Sequence, residues 1–142
     1  MTNDQVTALI DRHIDGWSRR DPTVLASNHA EDGVVLSPMF ARVRGRAQIR
    51  DSYAALFAAF PDWQMQFGAP IVDGNRVAIA FSVTATHQGE FMGLAGSGRR
   101  CAFEGVSLYQ LDADLLLEEE RRVYDFTGLL AQVGVVRIRP AS

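Results

Sequence analysis

Asp125 is the acidic residue whose neighbours best suit proton-transfer chemistry. It stands between Tyr124 and Phe126 in the segment VYDFTGLLAQVG, residues 123–134. Burial penalises the charged form of a carboxyl group, so a carboxylate held among apolar side chains resists ionisation, as many acid–base catalysts do. The alternative is that Asp125 caps a helix beginning at Phe126 or Thr127 by accepting hydrogen bonds from free backbone N–H groups. The local sequence supports both interpretations.

The three histidines are the other candidates for exchanging a proton with a substrate. His87 ends a β-rich segment just before Gly89, where it could orient a substrate carbonyl or make a hydrogen bond at a strand end. His13 lies on the apolar stripe of the first predicted helix, which indicates a satisfied core histidine or a polar group at the floor of a cavity. His29 follows a short helix and is predicted to make a structural contact.

Several large side chains could either line an apolar cavity or fill an ordinary core. Those predicted to contact a substrate are Trp17, Tyr53, Trp63, Met65 and Phe91. Arg121 is a further candidate, because strict alternation along a strand would place Glu119 and Arg121 on the same face as Asp125. The alternative is that Glu119 and Arg121 pair with each other at the open end of the sheet.

Composition and motifs narrow the class of protein. A length of 142 residues fits one domain over residues 1–142, and the formal charge of -3 makes nucleic acid an unexpected partner. No segment approaches the ~20 apolar residues of a membrane helix, and the first residues do not resemble a secretory signal. We therefore expect a cytoplasmic protein. The single cysteine, Cys101, is predicted to be an ordinary strand residue.

Metal ions and cofactors are not expected either. The histidines and acids form no known metal-ligand motif. The glycine-rich segment GLAGSG, residues 93–98, lies between predicted strands and not before a helix, which argues against a phosphate-binding loop. Its predicted role is a mobile flap over a cavity mouth.

Hydrophobic periodicity predicts helices early in the chain and strands later. The predicted helices cover residues 4–19, 22–28, 45–60 and 126–134, and the predicted strands cover 34–37, 63–67, 76–87, 101–111 and 115–124. Asp73, Gly74 and Asn75 predict a hairpin turn. This order indicates an α+β fold in which a bent sheet wraps over the helices and leaves a cone with an apolar interior, suited to a small molecule.

Three stretches spanning most of the chain carry a family resemblance. They are GWSRRDPTVLASNHAEDGVVLSP (16–38), RGRAQIRDSYAALFAAFPDW (44–63), and HQGEFMGLAGSGRR (87–100) together with VYDFTGLLAQVG. They resemble the NTF2-like superfamily and, within it, the SnoaL-like polyketide cyclase and ester cyclase group. The resemblance implies a cone-shaped α+β barrel, with a strongly curved antiparallel or mixed sheet around the N-terminal helices. It also implies a homodimer formed through the sheet.

In the polyketide cyclases that this chain resembles, an aspartate in the setting of Asp125 is the general acid and base for an intramolecular aldol ring closure without a cofactor. The resemblance therefore implies a cyclase-like enzyme acting on a small apolar carbonyl compound, with Asp125 as acid and base and His87 assisting. One position departs from the family pattern: Arg121 stands where a tryptophan usually precedes this aspartate by four residues.

Two alternative functions use the same fold. One is a noncatalytic NTF2-like module that binds a small ligand or only dimerises. The other is an isomerase or hydrolase. Ketosteroid isomerases place a base where this chain has Leu36-Ser37-Pro38. Limonene epoxide hydrolases need an acid on a strand that here reads AFSVTATH. The sequence therefore supports both functions less well than the cyclase.

Overall fold

Helices and strands fall largely where the sequence predicts them. The computed structural model describes residues 1–137 and 139–141, and the elements of this part of the chain are α1 (Asn3–Arg19), α2 (Pro22–Ser27), β1 (His29–Ser37), β2 (Ala41–Arg44), α3 (Arg46–Ala59), β3 (Gln64–Phe67), β4 (Ile71–Asp73), β5 (Arg76–Thr86), β6 (Arg100–Leu111), β7 (Leu117–Tyr124) and α4 (Phe126–Gln132). Strands β2 and β4 were not predicted, because each has only three or four residues. Strand β1 also begins earlier than its predicted start.

The first two helices are set by local chemistry. Thr2 and Gln5 form a reciprocal capping box at the start of α1. The side chain of Asp21 accepts hydrogen bonds from the backbone N–H groups of Thr23 and Val24, with Pro22 in the first turn of α2. The Asp21 cap fixes the turn between α1 and α2.

The strands form one curved, unclosed sheet in the order β2-β1-β7-β6-β5-β3, with β4 also paired to β5. Strands β1 and β7 are parallel, and the other pairs are antiparallel, so the sheet is mixed. The longest pairing joins β5 to β6, from Arg76 opposite Gln110 to Thr86 opposite Arg100. These observations confirm the α+β plan with a curved mixed sheet.

A bulge near the start of β7 decides which side chains face the interior. Leu111 lies opposite Leu117, but the next residue of β6, Gln110, lies opposite Glu119, so Glu118 is the extra residue. Because side chains alternate along a strand, one extra residue moves all later side chains to the other face. Glu120, Arg122 and Tyr124 therefore turn inward.

The interior contains two neighbouring groups of apolar side chains. One group lies between α1 and the β4–β7 region and includes Val6, Leu9, Ile10, Ile79 and Leu117. The other lies under α3 and the middle of the sheet and is rich in aromatic residues, among them Trp17, Tyr53, Phe60, Trp63 and Phe103. Within residues 1–137 and 139–141, no helix is long and apolar enough to cross a membrane.

Candidate functional site

A small cavity lies inside the curved sheet, within the aromatic group. Its lining residues are Trp17, Met39, Phe40, Leu56, Trp63, Met65, Phe81, Phe103, Arg122 and Tyr124. The cavity measures about 10 Å³, which is room for about one water molecule. Three of the residues predicted to contact a substrate, Trp17, Trp63 and Met65, line it. A bound organic molecule would require the wall to move.

Three residues of this lining each have a buried nitrogen donor without a hydrogen-bond partner among the described residues. The donors are Trp17 Nε1, Trp63 Nε1 and Arg122 Nη2. Only 2% of Trp17, 4% of Trp63 and 8% of Arg122 are exposed to solvent. Because buried polar groups in proteins are nearly always hydrogen-bonded, three such donors around one cavity are unusual.

A buried ion pair holds Arg122 in place. Arg122 Nε contacts Glu120 Oε2, and the guanidinium lies 5.1 Å from the ring centroid of Trp17 and 5.2 Å from that of Tyr53. The other oxygen of Glu120, Oε1, lies 3.1 Å from His13 Nε2. Burial opposes ionisation of Glu120, but the Arg122 charge and the His13 hydrogen bond outweigh it and hold the pKa of Glu120 well below its ordinary value. Glu120 is therefore a carboxylate.

The polar network continues behind the ion pair. Asn28 Nδ2 lies 3.1 Å from His13 Nδ1, and the Tyr53 hydroxyl lies 3.0 Å from His29 Nε2. Burial lowers the pKa of His29 to about 3, so His29 is neutral at physiological pH. Burial also raises the pKa of Tyr53 well above its ordinary value, so this phenol keeps its proton. His13, predicted as a satisfied core histidine, occupies such a position.

His13, His29 and Glu120 could also be considered as metal ligands, because one ligand atom from each lies within 4.8 Å of the others. However, both nitrogens of His13 and both oxygens of Glu120 already contact protein groups. The ion pair with Arg122 also neutralises the carboxylate that would attract a cation. These contacts account for the cluster as a hydrogen-bonded salt bridge.

Asp125 is not in the buried setting that its neighbours suggested. It is exposed and is the N-cap residue of α4, with Oδ1 accepting a hydrogen bond from the Gly128 N–H at 2.9 Å. The helix-capping alternative is confirmed, and the expected burial among aromatic side chains is wrong. The physical reason is that β7 ends at Tyr124, so Asp125 no longer alternates with the strand. Its catalytic role stays a prediction.

His87 and Phe91 lie in the core beside the cavity but are not among the residues that line it. The ring of His87 packs 5.9 Å from Phe60 and 6.0 Å from Phe91, and its Nδ1 lies 2.9 Å from Ser97 Oγ. This is the hydrogen-bonded strand-end position that the sequence offered as an alternative. Tyr53 packs against the ring of Trp17 and is also absent from the cavity lining. Substrate contacts by Tyr53 and Phe91 stay predictions.

Arg121 faces away from the interior, so the expectation that it shares a cavity face with Asp125 is wrong. Its side chain is exposed and lies 4.0 Å from Glu119, which confirms the alternative pairing of these two residues. The bulge at Glu118 is the reason. It turns Glu120 and Arg122 inward, where strict alternation would have placed Glu119 and Arg121. Sequence reasoning consequently missed Glu120 and Arg122, the two charged residues that β7 buries.

A polyketide cyclase family model matches residues 7–133, which is most of the chain. The chain belongs to the SnoaL-like polyketide cyclase family. Among solved structures, it is similar to AclR from Streptomyces galilaeus, a candidate hydroxylase, with 28% identity, a TM-score of 0.81, and 98% of this chain and 87% of that chain covered. No curated protein matches.

Two further structures share the fold of this SnoaL-like protein. One is a candidate SnoaL-like polyketide cyclase from Jannaschia sp. CCS1, with 24% identity, a TM-score of 0.83, and 94% of each chain covered. The other is IdmH from Streptomyces antibioticus, a candidate polyketide cyclase, with 23% identity, a TM-score of 0.74, and 92% of this chain and 99% of that chain covered. The NTF2-like fold is thereby confirmed.

Proposed function

We propose that this protein is a cyclase-like enzyme that performs acid–base, aldol-type chemistry on a small apolar carbonyl compound in the cavity. The observation that carries the proposal is the cavity lining: aromatic and thioether side chains surround one buried cation, Arg122. Apolar walls favour a hydrophobic ligand. Arg122 is paired with Glu120 through Nε, but its Nη2 can still donate a hydrogen bond to the enolate oxygen that forms when a carbon next to a carbonyl loses its proton. Membership of the cyclase family supports the same chemistry.

We keep Asp125 as the proposed base, although its setting differs from the expected one. Glu120 is the other nearby carboxylate, but its two oxygens are held by His13 and Arg122, which makes it a poor proton acceptor. The Gly128 N–H donates a hydrogen bond to Oδ1 of Asp125, and Oδ2 accepts none among the described residues. Asp125 also directly follows Tyr124, whose side chain lines the cavity. A cap and a base can therefore be the same residue.

Tyr124 is the proposed proton donor at the end of the reaction. Burial raises the pKa of Tyr124 to about 12, so its hydroxyl stays protonated at physiological pH. A protonated phenol can donate a hydrogen bond or a proton to the alkoxide that forms when the new carbon–carbon bond closes the ring. Asp125 would then release its proton to solvent, and Tyr124 would take one proton up from solvent, which restores both groups.

Substrate entry requires the cavity to enlarge from about 10 Å³. We propose that the turn between β1 and β2 opens, because Met39 and Phe40 form one wall of the cavity and are only partly buried. A hydrogen bond from the Phe40 N–H to Ser37 Oγ at 3.2 Å holds the turn, and opening would break it.

The test is a ring closure that the proposed chemistry should accelerate. The probe 1-phenylhexane-1,5-dione closes to 3-phenylcyclohex-2-enone with loss of one water, and the product can be followed by its ultraviolet absorbance. We expect the wild-type protein to accelerate closure and Asp125→Asn to remove most of that acceleration. If Asp125→Asn keeps full activity, Asp125 is not the base.

A noncatalytic module is the second candidate, and the small volume of the cavity favours it. If the cavity is only a packing defect, neither turnover nor binding of aromatic carbonyl compounds will be measurable. Such a result would leave a ligand-free NTF2-like domain as the better description.

A homodimer is proposed for either function. Val106, Leu108 and Val123 are exposed on the outer face of β6 and β7, where Val106 lies directly opposite Val123. A cluster of exposed aliphatic side chains on a sheet face is typical of a subunit interface. We expect sedimentation velocity to give a dimer for the wild type and a monomer for Val123→Glu, and a monomeric wild type would contradict this proposal.

A further inference from the structure

We propose that the cavity recognises an oxygen atom that only accepts hydrogen bonds, such as a ketone, carboxylate or enolate oxygen on an aromatic ligand. The oxygen would bind to Arg122 Nη2 and to the indole N–H groups of Trp17 and Trp63. This inference rests on the proposed function, because it uses the same cavity and specifies the chemical class of its ligand.

Three buried donors lack an acceptor. Trp17, Trp63 and Arg122 line one cavity and are each at least nine-tenths buried. Trp17 Nε1, Trp63 Nε1 and Arg122 Nη2 have no acceptor within the described part of the chain. A buried donor without an acceptor costs stability, because it lost its hydrogen bonds to water on folding. An oxygen placed in the cavity would supply the acceptor that all three lack.

The chemistry of the donors decides which oxygen fits. Indole and guanidinium nitrogens donate hydrogen bonds and have no acceptor lone pair. A water molecule or an alcohol would bring its own protons, yet most of the remaining lining is aliphatic, aromatic or thioether. Among the side chains of the lining, the Tyr124 hydroxyl is the one neutral group that could accept them. A ketone or deprotonated oxygen brings lone pairs and no proton, so it satisfies the site better than a hydroxyl group.

The geometry favours an aromatic ligand. The rings of Trp17 and Trp63 lie 6.3 Å apart and 25° from parallel, and Phe103 lies 5.7 Å from Trp63. Aromatic rings pack well against such walls. Glu120 already holds Arg122 Nε, and the guanidinium lies against the rings of Trp17 and Tyr53, so the cation is fixed before the ligand arrives.

Intrinsic fluorescence gives a direct readout, because Trp17 and Trp63 are the two tryptophans of the chain and both line the cavity. The probes are acetophenone and benzoate, with 1-phenylethanol and ethylbenzene as analogues of similar size. We expect acetophenone and benzoate to bind roughly tenfold or more tightly than either analogue, as expected for hydrogen bonds to a charged donor. Isothermal titration calorimetry would confirm the order.

The variants Trp17→Phe and Trp63→Phe each remove one N–H and keep an aromatic ring. Each should reduce the preference for acetophenone over ethylbenzene by several-fold, with a smaller change for ethylbenzene itself. Arg122→Met should abolish the preference for benzoate. Arg121→Met is the matched control, because Arg121 is the neighbouring arginine on the outer face of the same strand. It should bind all four probes like the wild type.

The outcomes separate this inference from the proposed function. If all four probes bind equally well, the cavity is an apolar ligand site and the acceptor-oxygen inference is wrong, while the proposed function stands. If none binds, the donors serve a buried water only and both proposals fail. If Arg122→Met does not fold, the probe series on the wild type and the two tryptophan variants still decide the question.

Discussion

Glu120 and Arg122, two residues apart on β7, form an ion pair inside the curved sheet. Glu120 is 0% exposed and Arg122 is 8% exposed. A buried pair of charges is costly to desolvate, so it contributes little to stability as a pair but strongly destabilises the protein when one partner is removed. The pair therefore holds a cation at the cavity, although apolar side chains in its place would stabilise the fold at least as well.

Removal of one partner should be more damaging than removal of both. We expect Glu120→Ala to reduce the free energy of unfolding by about 3–5 kcal/mol, because it leaves the Arg122 charge buried and unpaired. The double variant Glu120→Gln with Arg122→Met should recover most of that loss. Urea denaturation measures the free energy of unfolding of the wild type, the single variant and the double variant. A single variant as stable as the double variant would contradict the buried pair.

The stability of the protein should fall at acidic pH in two steps. Burial holds the pKa of native His29 at about 3, whereas the unfolded histidine takes up a proton near pH 6.5. The unfolded state therefore binds more protons between these values, and the free energy of unfolding decreases as the pH falls from 6.5 towards 3. Below about pH 4.5, protonation of unfolded Glu120 adds a second decrease, because native Glu120 remains ionised.

His29→Gln isolates the first step. Glutamine can keep a hydrogen bond to Tyr53 but cannot titrate. Between pH 6.5 and 4.5 the variant should lose less stability than the wild type, measured by urea denaturation at several pH values. Equal slopes for the two proteins in that range would show that His29 does not stay neutral on folding.

Two substitutions of Asp125 separate its structural role from its proposed catalytic role. Asparagine caps helices about as well as aspartate, so Asp125→Asn should change the free energy of unfolding by only a few tenths of a kcal/mol. Asp125→Ala removes the cap and should cost about 1 kcal/mol. Turnover of 1-phenylhexane-1,5-dione should fall in both variants. If only Asp125→Ala loses turnover, the residue acts through the helix cap.

Cys101 should be chemically inert in the folded protein. Burial raises the pKa of its thiol to about 11, and the side chain is almost inaccessible. Labelling with a thiol-reactive disulfide reagent at pH 8 should be on the order of 100-fold slower than in the unfolded chain. Fast labelling of the native protein would show that β6 opens readily.

The sequence predicted most of the fold but not the charged part of the site. The hairpin at residues 73–75 and the apolar faces of the helices are local features, and local chemistry determines them. The aromatic residues of the cavity lining could be predicted because the spacing of apolar side chains is also a local feature. The inward direction of Glu120 and Arg122 depends on the bulge at Glu118, which no turn residue or proline marks. The periodicity of LEEERRVY therefore predicted the wrong face.

The burial of Asp125 was a second point that local sequence could not decide. Apolar neighbours predict a buried carboxylate only if the strand continues through the residue, and β7 ends one position earlier. In the folded chain, Gly128 leaves room for the carboxylate of Asp125, because a side chain at position 128 would collide with it.

We propose that the aromatic cavity opens to hold a carbonyl compound, with its oxygen at Arg122. A crystal structure of the protein with acetophenone tests it most directly. We expect the ring to lie between Trp63 and the displaced turn at Met39 and Phe40, with the ketone oxygen within hydrogen-bonding distance of Arg122 Nη2. A cavity that stays closed around one water molecule, with acetophenone absent or bound elsewhere, would contradict it.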